Sequence, residues 1–378
     1  MTRASPATRL RRSRTLLAWP RGARLVVSNY LLGTSVDLGA PALVLLGGRA
    51  RWTTRADLAR LLRREGVARP EPALAALVCA GILVPERSLL VRYEAAWLRR
   101  WRWGPLAAAF HRSLRDVRFR TLEDTQAILA RRNRTRPAPP VLPPDDGPRT
   151  PLPPPRTRRG VLPHLLRRRS TWDLSGAPIG RRDLADVLFA GLGVRGLLHD
   201  PVQGTLPLKL APSGGARNPI DGYVLALRVA GLAAGVYRYS GLRRDLERVA
   251  GPPAETARAL LGGQPWAEGA AAVVFLVASF GRSMWKYEHP LSYRMVLLEA
   301  GHVAQNVLVA ACDLGLACFP SGALSDSLCE AALDLRGIDR AVLYAVAIGR
   351  EARPQRARRA RSARNSTTSG SPGSASAQ

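Results

Sequence analysis

Apolar and polar positions alternate with recognisable periods in two stretches of this 378-residue chain, and the segment between them has none. The first stretch covers 26–85. After a strand-like start, residues 41–47 predict a helix, and Thr53 or Thr54 stands where a cap is needed for a second helix over 55–64. Residues 71–80 predict a third helix stopping at Gly81, and 82–84 a short strand. Three helices and a strand in that order predict a small winged-helix-like unit. Such a unit can bind DNA, hold a peptide or be purely structural, because a fold alone assigns no function. Further on, Trp97, Trp101, Trp103 and Phe110 fall mostly on one helical side, the pattern of a packing stripe.

The second stretch predicts helices at 161–168 and 181–190 and strands near 224–229, 236–239 and 271–279. A long helix over 290–314 is closed by Gly315, followed by a short helix at 325–333 and a strand at 341–349. This unequal order predicts an α+β fold, a mixed sheet flanked by helices, and not a regular βαβ array. The resulting organisation is a flexible basic N-terminus (1–25), the winged-helix-like domain with its aromatic helical segment (26–130), a Pro/Arg-rich linker (131–159), the second domain (160–352) and a disordered tail (353–378).

Charge changes this picture less than its size suggests. The formal net charge is +29, which first points to nucleic acid or an anionic membrane. The arginines, however, crowd into the N-terminus, the linker and the tail, and nucleic acid becomes an unfavoured partner. No uncharged apolar run reaches the roughly 18 residues of a membrane span. The four cysteines form no CxxC pair, which argues against zinc and for reduced thiols in a cytoplasmic protein. Of 57 basic residues only Lys209 and Lys286 are lysine. Lysine can be neutralised by burial and arginine cannot, so a lysine kept in such a chain is a candidate for chemistry.

Four clusters carry candidate chemistry. Arg168-Arg169-Ser170 offers two guanidiniums and a hydroxyl to a phosphate, or simply continues the basic linker. In Pro212-Ser213-Gly214-Gly215-Ala216-Arg217-Asn218-Pro219, the glycines let backbone amides approach a ligand while Ser213 and Arg217 donate; alone, it is also an ordinary connection between strands. Lys286-Tyr287 follows a buried strand, where burial would favour a neutral amine able to act as a base. Tyr293-Arg294 leads into Glu299, His302, Gln305 and Asn306 on the long helix, where a lone histidine is more often a core residue than a catalyst.

Taken in order, these clusters resemble the nitroreductase superfamily, and within it the SagB-type dehydrogenases that include the azoline oxidases of thiazole- and oxazole-forming peptide pathways. Leu314-Gly315-Leu316, Leu343-Tyr344 and Gly349-Arg350 complete the match, which covers roughly the last half of the chain before the tail. The resemblance implies FMN, an intertwined homodimer and a nitroreductase-like α+β fold. It implies that Arg168, Arg169, Ser170 and Arg350 surround the FMN phosphate, that residues from Pro212 through Ser213, Gly214, Gly215 and Arg217 approach the ribityl chain and ring, and that Gln305 also faces the flavin. It implies Lys286 and Tyr287 as the catalytic pair. The expected function is oxidation of an azoline in a modified peptide, with a cyclodehydratase as candidate partner. A flavin oxidoreductase acting on small molecules and a DNA-binding flavin sensor are the alternatives.

Overall fold

A computed structural model describes residues 9–47, 51–116, 160–200, 203–287 and 289–352, with isolated positions between 121 and 134. The predicted linker and tail lie outside the described residues, apart from positions 131 and 134.

Residues 9–25, expected to be flexible, fall largely in three strands. β1 (Arg9–Arg12) alternates Leu10, buried in the core, with Arg11, whose guanidinium is 2.6 Å from the fully buried carboxylate of Glu94. That pairing removes the cost of enclosing either charge alone, and the basic composition of the segment hid it. β2 (Leu16–Arg21), β3 (Arg24–Asn29) and β4 (Thr34–Leu38) follow as an antiparallel meander. Next come α1 (Ala40–Gly47), β5 (Thr53–Thr54), α2 (Arg55–Arg64), α3 (Pro70–Cys79) and β6 (Leu83–Pro85), with β1 between β5 and β6 in a second small sheet. Thr54 caps α2 by accepting from the Asp57 amide at 3.2 Å. The three predicted helices are present; of the meander before them, only β3 matches the predicted strand-like start.

α4 (Leu89–Arg100) and α5 (Gly104–Ser113) carry the aromatic stripe. Trp97, Trp101 and Trp103 are buried, whereas Phe110 is half exposed. Their rings interleave with Phe280 and Tyr293 from the second half of the chain: Trp101 lies 5.6 Å and Trp103 5.7 Å from Phe280, both edge-on. The stripe is therefore the seam between the two halves.

The second half begins with α6 (Leu162–Arg167), β7 (Ile179–Gly180) and α7 (Arg181–Leu192). A hairpin follows, β8 (Val194–Asp200) with β9 (Gly204–Lys209), then β10 (Ile220–Ala226), β11 (Val229–Ala230), β12 (Gly235–Ser240), β13 (Asp245–Ala250) and α8 (Ala257–Leu260). β14 (Ala272–Ser279), α9 (Phe280–Lys286), α10 (Leu291–Asp313), β15 (Ala317–Ser321), α11 (Asp326–Ala332) and β16 (Arg340–Gly349) complete it. Six strands form the central sheet in the order β13-β12-β10-β14-β16-β15. All its pairings are antiparallel. The parallel part of the predicted mixed sheet is confined to the edge, where Ser170 bridges Cys318, and to the β7–β11 pair.

β14 is apolar along almost its whole length because both its faces are covered. Val274, Leu276 and Ala278 meet α7 and α10, while Val273, Phe275 and Val277 meet α8 and α11. α10 has the length and apolarity of a membrane span, yet it packs along α7 and the sheet with Val296, Val303 and Val307 buried.

Candidate active site

Between β9 and β10 the chain makes a 3-10 turn at Gly214–Ala216, and this turn is where most of the chemistry gathers. Gly215 sits at φ 58°, a left-handed conformation that glycine adopts without strain. A Cβ there would stand 2.2 Å from the Tyr287 hydroxyl and 2.8 Å from the Lys286 ammonium, so the turn also requires glycine for space. Lys286 Nζ donates to the Gly215 carbonyl at 3.4 Å. The side chains of Lys286 and Tyr287 thus converge on the glycine turn, 71 residues earlier in sequence. Gly214, in contrast, has no atom within 4 Å of its Cβ direction and faces open space.

Lys286 does stand shortly after a buried strand. It is the last residue of α9, which follows β14 directly, and it is half-buried. Lys209, the other lysine, is likewise half-buried. That lysine donates to the Ile220 carbonyl at 2.8 Å, and burial pulls its pKa below the ordinary lysine value, opposed by Asp221 and Glu299. Glu299 is also buried, at 5% exposure. Burial raises its pKa, and the Ser213 hydroxyl, Lys209 and the Gly214 amide counter that rise. Glu299 thus holds the turn through Ser213 and Gly214, while Lys209 ties β9 to the start of β10. The rarity of lysine marked Lys209 as readily as Lys286, but only the fold gives it this place.

Asn218 finishes the turn at φ 46°. Its amide nitrogen donates to the Pro207 and Ala216 carbonyls, both at 2.8 Å, and its backbone N–H donates to Ser213 Oγ at 2.8 Å. Its side-chain oxygen is buried with no donor. Arg217 is held by the Arg282 carbonyl at 3.0 Å and stacks 4.5 Å from the Trp285 ring. Pro212 is exposed at the mouth of the turn.

The phosphate candidates meet elsewhere. Arg169 and Arg350 line a cavity of about 420 Å³ together with Arg167, Thr171, Cys312 and Cys318. Arg169 is paired with Glu351, and Arg350 lies 3.5 Å from Asp183. Burial pushes the Cys318 thiol up to about 11, with nearby Arg168 opposing. Ser170 is exposed and ends the short bridge to Cys318. Gln305 lines a third cavity with His164, Leu165 and Asn306, next to α6. Asn306 donates to the Ala190 carbonyl at 3.2 Å. His302 faces solvent, away from buried Glu299, so the two do not share a working face.

Arg169 of the first cluster therefore shares a cavity with Arg350, and the glycine turn gathers Lys286-Tyr287 and Glu299. The cavity of Arg169 and Arg350 contains no residue of the glycine turn, whose Ala216 and Arg217 line another cavity with Lys209 and Arg282. Sequence reasoning missed Trp103, whose indole donates to the Tyr287 carbonyl at 3.0 Å and so reaches the site from the N-terminal half. Nothing in the aromatic stripe distinguishes it from its packing neighbours.

Charge and space here suit FMN. The arginine-lined cavity suits a phosphate, the open side of Gly214 leaves room for a flat ring beside the turn, and the orphaned Asn218 oxygen lacks a donor of the kind a flavin imide provides.

The sequence profile of the nitroreductase family matches residues 165–350. A nitroreductase-type protein of Methanocaldococcus jannaschii is 31% identical over 166 residues, 43% of this chain and 78% of that protein. The trifolitoxin-processing protein TfxB of Rhizobium leguminosarum bv. trifolii is 31% identical over 148 residues, 38% of this chain and only 39% of that protein. Among solved structures, a nitroreductase-type protein of Ralstonia eutropha superposes with a TM-score of 0.42 at 25% identity, covering 54% of this chain and 89% of that one. A chain of the E. coli microcin synthetase McbBCD complex superposes with a TM-score of 0.49 at 21% identity, covering 70% and 98%.

Proposed function

Because the chain belongs to the nitroreductase family of oxidoreductases, we propose that it is an FMN-dependent dehydrogenase of the SagB type that oxidises azolines to azoles in a modified peptide. The observation that carries this reading is the convergence of Lys286 and Tyr287 on Gly215, which sets an amine and a phenol beside the turn suited to a flavin ring. The trifolitoxin-processing relative supports a peptide as substrate.

Arg168, Arg169, Ser170 and Arg350 hold the phosphate, and Ser213–Arg217 with Asn218 hold the ring. Bound FMN supplies a two-electron acceptor. Lys286 takes the acidic Cα proton of the azoline on its amine, and Tyr287 orients the ring or relays that proton. Since the arginine cavity and the glycine turn are separate in one chain, the reading includes a homodimer in which the two subunits complete each flavin site.

Anaerobic single-turnover bleaching of the flavin by an azoline peptide tests the assignment. Wild type should bleach. Lys286→Arg keeps the charge but cannot accept a proton, so it should stay yellow and bleach about 100-fold more slowly. Undiminished bleaching by Lys286→Arg would remove Lys286 as the base. The Methanocaldococcus relative favours a second reading, reduction or oxidation of small molecules. Bleaching by small donors and none by the peptide would select it.

A further inference from the structure

Among the described residues two carboxylates are buried, and their charges are met differently. Glu94 lies 2.6 Å from the Arg11 guanidinium, so its charge is cancelled where it stands. Glu299, on α10 where that helix packs against the glycine turn, has no direct ion pair among the described residues. Uncharged groups reach its carboxylate instead, the Ser213 hydroxyl and the Gly214 amide. Ser213 Oγ already accepts from the Asn218 N–H at 2.8 Å, which leaves its own proton for Glu299. The cations nearby are committed to other acceptors. Lys209 on β9 donates to the Ile220 carbonyl at 2.8 Å, and Arg282 on α9 forks onto Asp221 of β10 at 2.8 and 2.9 Å. They weaken the field of Glu299 without cancelling it. A neutral amide oxygen has two lone pairs and could accept from the same hydroxyl and N–H, and enclosing it costs far less than enclosing a charge. Holding the turn therefore does not call for a charge at this position.

We propose that Glu299 is a positioning residue of the flavin site, whose negative charge, set against the buried side of the Ser213–Gly214 turn, makes bound FMN harder to reduce. The inference rests on the flavin reading above and adds the residue that sets the electron affinity of the bound ring. Reduction adds negative charge to the ring, and a fixed negative charge on the other side of one peptide unit opposes it in an enclosed site. Forming an aromatic azole supplies the drive to load such a flavin, which then passes its electrons on readily.

The FMN-loaded full chain is reduced stepwise with dithionite near pH 8 beside a dye of known potential, and the midpoint is read from the flavin and dye bands. Glu299→Gln removes the charge and keeps the size and an acceptor oxygen. It should shift the reduction equilibrium towards reduced FMN by about 10-fold or more, which is about 30 mV for a two-electron couple. Glu299→Asp keeps the charge and should stay within about 3-fold of wild type. An unmoved midpoint in Glu299→Gln, an equal shift in Glu299→Asp, or loss of FMN from Glu299→Gln overturns the proposal, because each makes the part of Glu299 structural. The titration uses no peptide and reads no turnover. A wild type that takes up no FMN sinks the flavin reading, whereas a yellow wild type and a yellow Glu299→Gln with equal midpoints sink this inference alone.

Discussion

The indole N–H of Trp103 donates to the backbone carbonyl of Tyr287 across 184 residues of sequence, at 3.0 Å. Two neighbouring contacts support it: the Arg102 amide meets Met284 Sδ at 3.3 Å, and Trp103 packs edge-on to Phe280. The end of α9, and with it the Lys286-Tyr287 pair, is thus fastened by the N-terminal half.

Trp103→Phe deletes the donor and puts a smaller ring in a buried site. Stability should fall by about 1–3 kcal/mol, from the lost hydrogen bond and the space left behind. FMN content should be unchanged, while azoline turnover drops by about 10-fold through kcat and not KM, since the loss is in placement of the pair. A fall in FMN content matching the fall in turnover would indicate a general structural role instead.

The two glycines of the turn should behave differently. Gly215→Ala meets strain at φ 58° and collides with Tyr287 and Lys286, so thermal stability and activity should both fall. Gly214→Ala meets nothing in the chain, and its melting temperature should stay near wild type. Flavin retention should nevertheless weaken if the ring lies against it. Unchanged FMN affinity in Gly214→Ala would place the ring elsewhere.

Replacing Arg168 and Ser170 together by alanine should release FMN on gel filtration, because two phosphate contacts are removed at about 1.5–3 kcal/mol for a charged hydrogen bond. Absorbance at the flavin band relative to protein reads this directly. A fully yellow double variant would contradict the phosphate assignment.

Acid sensitivity should trace in part to His111. It is 5% exposed, it bonds the Tyr293 hydroxyl through Nδ1 at 3.0 Å, and burial with two nearby arginines lowers its pKa from 6.5 to about 3. Between those values the unfolded chain binds a proton that the folded chain refuses, so stability falls as pH drops below 6.5. The slope is about 1.4 kcal/mol per pH unit, or about 2 kcal/mol by pH 5. His111→Gln, which does not titrate, should flatten denaturant midpoints over this range. Parallel wild-type and variant profiles would show that His111 does not set the slope.

The elements of the second half were legible where apolar runs are long or helical period is strong, as in β14 and α10. The hairpin β8–β9 and strand β13 escaped because their exposed, charged positions leave no clear alternation. β1 escaped for a related reason: half of its apparent polar face is an arginine neutralised by Glu94, 83 residues away. In the site, Lys286, Tyr287 and the glycine turn could be named from residue type, since lysine is rare here and a glycine pair marks close approach. Lys209 and Glu299 could be named but not placed, and Trp103 could not be told from its packing neighbours, because their parts depend on which side of a helix or turn meets a distant segment.

The aromatic seam also governs how the chain comes apart. Separating the halves would bare Trp97, Trp101 and Trp103 on one side and Phe280, Met284 and Tyr293 on the other. Each large side chain returned to water costs about 1.5–3 kcal/mol, so undocking alone approaches the 5–15 kcal/mol that holds a typical domain folded. The two halves should consequently melt as one cooperative unit in a calorimeter, and a fragment starting at residue 160 would carry a raw apolar wound where α4 and α5 had lain.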